Sequence, residues 1–88
     1  MARLREGGNK RNRKPSQAAL NRLADNVKRL RNARGMTQKE LGTACGLDRS
    51  YIGQVEQGAI NPTFANLEAI AKGLNCTVGD LTMKWSVE

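Results

Sequence analysis

Histidine is missing altogether from these 88 residues, and cysteine occurs only twice, at Cys45 and Cys76, without a C-x-x-C spacing. Losing imidazole removes the usual general acid–base group and most zinc sites. No P-loop or dinucleotide-binding glycine pattern replaces it. The chain is therefore expected not to be an enzyme and to need no cofactor or metal, and the two thiols read as small buried hydrophobes. Aromatics are equally scarce, at one Phe, one Trp and one Tyr. No apolar run approaches the roughly 20 residues that cross a bilayer, and no signal-peptide apolar region follows the N-terminus, so a cytoplasmic protein with no membrane partner is expected.

Acidic residues are few as well: 8 stand against 15 Lys and Arg, which gives a net charge of +7. The excess is uneven. Residues 1–15 hold Arg3, Arg5, Lys10, Arg11, Arg13 and Lys14 against Glu6 alone, while the remainder is nearly balanced. A basic, flexible arm is thus expected to precede one small domain over 16–88, a length at which a single core suffices. Such an arm suits a polyanion, and it equally suits a solubilising tail.

Apolar spacing then organises the chain. Leu20, Leu23, Val27 and Leu30 recur at three and four residues after Ser16, and Gly35 follows as a stop, which predicts a first helix. Thr37 and Glu40 form a capping-box pattern ahead of Leu41, Ala44 and Cys45, with Gly46 closing a short second helix. Asp48 can cap a third, whose inner stripe is Ile52 and Val55 and whose end is Gly58. Pro62 and Thr63 set up a fourth, with Phe64, Leu67, Ile70, Ala71 and Leu74 inward. Asn75 suits a left-handed stop, and Thr77 with Asp80 opens a last turn carrying Val78 and Leu81. No strand pattern competes, so the expected fold is all-α with five helices.

The stretch GLDRSYIGQVEQG, Gly46 to Gly58, is asked to do two things. At 100° per residue Ile52 and Val55 share one side with Tyr51 at its margin, while Ser50, Gly53, Gln54 and Gln57 lie opposite and Arg49 on the boundary. That outer face has no acid, and its donors and acceptors match base edges: Arg to guanine, Gln to adenine, Ser to either. A merely solvated face reads the same way in an isolated helix. The short helix before it, joined by a glycine-containing turn, favours the geometry in which the second helix enters a major groove.

MTQKELGTACGLDRSYIGQVEQG resembles the helix-turn-helix of the Xre/Cro family of bacterial and phage regulators. Gln38 stands at the family's opening glutamine, Leu41 at its apolar fourth position, Gly42 at the small fifth, Gly46 at the ninth, and Ile52 and Val55 at the later core sites. The likeness continues through Glu56 to Gly58, Asn61 to Thr63 and Leu67 to Leu81, about residues 24–82. It implies a compact lambda-repressor-like domain. Small Cro-like phage repressors and restriction–modification controller proteins are the similar single-domain forms. Gly42 departs from the commoner alanine, at a cost to helix 2 of about 1 kcal/mol.

The resemblance also implies roles. Arg49, Ser50 and Gln54 would read bases. Gln38, Tyr51, Asn61 and Thr63 would contact the DNA backbone, and Arg31 would pair with Glu56 as scaffold. The partner would be double-stranded DNA, bound by a homodimer on a pseudo-palindrome. Val78, Leu81, Met83 and Trp85 are the expected dimer seam, although Trp85 could equally cover the monomer core. Lys39 and Thr43 replace the acidic helix 2 surface with which some family activators touch RNA polymerase, so a repressor or autoregulator is expected. The alternative is an antitoxin whose main partner is a toxin, with residues 1–16 as the only candidate toxin-binding extension.

Overall fold

The computed structural model describes residues 13–85, which form five helices and, among the described residues, no strand. Helix α1 runs Gln17–Ala33, α2 Gln38–Cys45, α3 Arg49–Glu56, α4 Phe64–Gly73 and α5 Val78–Thr82. Four of the five starts are fastened by a side chain of the residue just before the helix. Ser16 accepts from the Ala19 N–H and Thr63 from that of Asn66. Thr37 with Glu40, and Thr77 with Asp80, close reciprocal capping boxes with bonds of 2.8–3.0 Å. Each satisfies a donor that the helix itself leaves open. The exception is α3, where Asp48 occupies the cap position but its side chain makes no capping bond, contrary to the sequence expectation. Gly46 (φ +73°) and Asn75 (φ +56°) take the left-handed conformation expected of them after α2 and α4.

The core is one cluster. Val27, Leu41, Ile52, Ile70, Leu74 and Leu81 are wholly enclosed, joined by Val55, Leu23 and Ala71. Helix α1 packs on α3 and α5, α2 on α3 and α4, and α4 on α5. One expectation fails here. Phe64 is 64% exposed rather than inward, because it is the first residue of α4 and overhangs the core edge that Leu67 and Ile70 define.

Position 26 lies on the same side of α1 as Leu23, Val27 and Leu30, yet it is polar. Asn26 is 1% exposed and fully bonded: its amide donates to the carbonyls of Leu81 (2.9 Å) and Met83 (2.8 Å), and its oxygen accepts from Arg29 (3.1 Å). A buried amide with every partner in place tethers the segment after α5 to α1. The Arg29 guanidinium in turn lies 3.8 Å from the Trp85 ring centre.

Candidate nucleic-acid interface

The corner between α2 and α3 is tight because Gly42 has no side chain. A Cβ there would stand 2.6 Å from the Leu47 carbonyl oxygen and 3.3 Å from the Arg49 nitrogen, while Leu47 donates its N–H to the Gly42 carbonyl at 2.9 Å. The turn's backbone, rather than a facing side chain, therefore sets the size limit at this position. It delivers Arg49 directly into the first turn of α3.

On α3 the buried side is Ile52, Val55 and Glu56. Arg49, Ser50, Gln54 and Gln57 are exposed. None of these four makes a side-chain hydrogen bond among the described residues, so their donors and acceptors face outward. Gly53 is half-buried, and a Cβ on it would meet only the Gln38 amide, at 3.7 Å, so space alone does not require glycine there.

A charged knot lies behind this face. Arg31 grips Glu56 with two bonds, Nε to Oε2 at 2.6 Å and Nη2 to Oε1 at 3.0 Å, and spends Nη1 on the Met36 carbonyl at 2.8 Å. The bond to Glu56 holds the Arg31 proton more tightly than usual and raises its pKa. Glu56 also accepts from the Gln38 amide at 3.0 Å. The Gln38 side chain thus ties the first residue of α2 to the last of α3, so it belongs to the scaffold as well as to the proposed backbone contacts.

Around the rim, Tyr51 is half-buried against the core, and its hydroxyl accepts from Asn66 Nδ2 at 2.9 Å. Asn61 and Thr63 are exposed beside the buried Pro62. Gln17 reaches from the start of α1 to the Gly58 carbonyl at 2.9 Å, and Arg34 to the Leu74 carbonyl at 2.6 Å. Sequence reasoning missed Asn26, Asn66, Gln17 and Arg34. Only Asn26 carried a signal, as a polar residue on an apolar stripe.

Of the arm, Arg13 and Lys14 are exposed, whereas Arg3, Arg5, Lys10 and Arg11 lie outside the described residues. In the expected seam, Met83 and Trp85 are 43% and 49% exposed and Val78 is half-buried, but Leu81 is fully enclosed by its own chain and cannot face a partner. Trp85 sits neither in the core nor free, since one face carries Arg29. Burial pushes both cysteine thiols, Cys45 and Cys76, above the ordinary cysteine range, so they stay protonated at neutral pH. No group of His, Cys, Asp and Glu suited to a metal occurs among the described residues, and no helix there is long and apolar enough to cross a membrane.

A helix-turn-helix family model matches residues 27–81, from the middle of α1 to the buried Leu81. The chain belongs to that helix-turn-helix family. Control protein C.SmaI of Serratia marcescens is 42% identical over 59 residues, which are 67% of this chain and 70% of that one. Among solved structures, the restriction-modification controller protein C.AhdI of Aeromonas hydrophila superposes with a TM-score of 0.71 at 36% identity, covering 73% of this chain and 97% of its own. The controller protein C.Esp1396I, seen as a tetramer in complex with its natural 35 base-pair operator, gives 0.65 at 37% identity over 67% and 78% of the two chains. The matched span contains α2, α3 and the residues 46–48 that join them.

Proposed function

We propose that this helix-turn-helix protein is a sequence-specific double-stranded DNA-binding transcriptional regulator, a repressor or autoregulator that lays α3 in the major groove. The observation that carries the reading is the outward row Arg49, Ser50 and Gln54, free of bonds within the described residues and backed by the Arg31–Glu56–Gln38 knot. Open donors and acceptors on a helix held in place suit base edges, while Tyr51, Asn61, Thr63 and the N-terminus of α2 suit phosphates. Similarity to controller proteins, one of them crystallised on its operator, favours this role over that of a toxin-binding antitoxin.

The test uses a duplex selected from a random-sequence library and a scrambled control. Arg49→Ala or Gln54→Ala is expected to cost about 1–3 kcal/mol on the selected duplex and little on the control. Equal losses on both would remove base readout. The arm, residues 1–15, is proposed to follow neighbouring phosphates. Deleting residues 1–14 should then flatten the dependence of log affinity on log salt by about 0.9 for each lost contact, and an unchanged slope would leave it a spacer.

A dimer fits this reading, with the seam moved from Leu81 to the groove between α4 and α5. That groove encloses about 520 Å³ and is lined by Ala65, Glu68, Ala69, Lys72, Cys76 and Val78. Glu68 and Lys72 stand one turn apart on α4, so a two-fold axis across the groove would set each opposite its counterpart's opposite charge. Sedimentation of Ala69→Glu beside wild type decides it; unchanged association would exclude this seam.

A further inference from the structure

We propose that Asn66 is a positioning residue that presents the Tyr51 hydroxyl as a hydrogen-bond donor to a DNA phosphate, an inference that rests on the DNA-binding reading above. Asn66 is the third residue of α4, and its backbone N–H is spent on the Thr63 cap at 3.1 Å. Its position is therefore set by the helix start rather than by its side chain. From there Nδ2 crosses to α3 and donates to the Tyr51 hydroxyl at 2.9 Å.

The direction of that bond matters. A phenol has one proton to give and lone pairs to receive. Because Asn66 brings a donor, the Tyr51 proton cannot point at it and must turn elsewhere, and the donated bond polarises the O–H for a stronger acceptor. The ring itself is held against the core, and Tyr51 shares its helix with Arg49, Ser50 and Gln54. A phosphate oxygen is acceptor-only, so it meets a hydroxyl already oriented and loses little entropy in fixing it. The same residue also supports Thr63, whose hydroxyl accepts from the Asn66 N–H and likewise keeps its own proton. Neither hydroxyl would be so oriented by solvent alone.

Asn66→Ala keeps the backbone N–H and hence the Thr63 cap, so α4 should form normally, which melting and circular dichroism check. Binding is measured for wild type, Asn66→Ala, Tyr51→Phe and the double variant on the selected and the scrambled duplex. It is then repeated on selected duplexes carrying one neutral methylphosphonate linkage at a time. Each single variant is expected to lose about 3–10-fold on both duplexes. The double variant should lose no more than Tyr51→Phe, and one methylphosphonate position should weaken wild type while weakening neither variant further. Wild-type affinity in Asn66→Ala, no loss in Tyr51→Phe, or losses that multiply in the double variant would each overturn the proposal. Failure of wild type to bind any duplex is a separate result, visible before any variant is made, and it would remove the DNA-binding reading itself.

Discussion

Arg31 and Glu56, from α1 and α3, meet through two parallel bonds in a place where Glu56 is only 5% exposed. The geometry is the strong, bidentate kind, and the third guanidinium nitrogen and the second carboxylate partner, Gln38, leave little unsatisfied. Net stabilisation from such a buried pair is small, because both charges were taken out of water, but removing one partner strands the other. Arg31→Ala should therefore cost about 3–5 kcal/mol in urea unfolding, and Arg31→Met with Glu56→Leu should cost much less. If the single variant unfolded within about 1 kcal/mol of wild type, the pair would be no more than a surface contact.

A comparable test exists for the middle of α1. Asn26 holds the Leu81 and Met83 carbonyls, and Arg29 covers the chain's only tryptophan. Asn26→Leu removes the donors but leaves the carbonyls in place, so it should cost about 1–3 kcal/mol. It should also release Trp85, seen as red-shifted, more readily quenched fluorescence. Arg29→Ala is expected to reproduce the fluorescence change with a smaller loss of stability. An unchanged emission spectrum in both would mean that the strap does not depend on these bonds.

Local chemistry made most of the fold legible. The capping pairs Thr37–Glu40 and Thr77–Asp80 lie three residues apart, and Gly46 and Asn75 mark the ends of α2 and α4 by conformation alone, so no knowledge of distant contacts was needed. The exposed row on α3 followed from the positions of Ile52 and Val55 in the same way. What escaped depended on distant partners. Periodicity places Phe64 inward, but the core ends before the first turn of α4. It counts Asn26 as polar, though carbonyls 55 and 57 residues away make burial tolerable. In the five residues of α5, a buried leucine and a leucine facing a partner leave the same pattern, and only the packing of α1 and α4 on α5 assigns Leu81 to the core. The Asn66–Tyr51 bond joins two helices across 15 residues and leaves no mark in either helix's own pattern.

At Gly42 two effects oppose each other. Alanine would favour helix α2 by about 1 kcal/mol, yet its Cβ would press on the Leu47 carbonyl at 2.6 Å, a backbone atom that cannot swing aside. Gly42→Ala is accordingly expected to give no net gain in melting temperature. Gly42→Val should cost about 1–3 kcal/mol from overpacking. Because the displaced turn leads into Arg49, both should weaken the selected duplex more than the scrambled one. A stabilised Gly42→Ala with unaltered discrimination would show that the turn yields without disturbing α3.

Acid should loosen the C-terminal end through Asp80. Its carboxylate accepts the Thr77 N–H at 2.9 Å, and this bond, together with a further bond from the Thr77 side chain and weaker attraction to Arg34 and Arg29, holds its pKa below the ordinary aspartate value. A carboxyl whose pKa is lower in the folded than in the unfolded chain adds stability above the unfolded value, about pH 4, and loses it as pH falls through the folded one. Asp80→Asn cannot titrate, so between about pH 4 and pH 2 its melting temperature should fall less steeply than that of wild type, while at pH 7 it should melt lower for want of the charged cap. Since α5 places Leu81 in the core, the difference should appear in global unfolding and not only in fraying of the last turn. Parallel acid limbs for the two proteins would mean that protonating Asp80 leaves the cap unharmed.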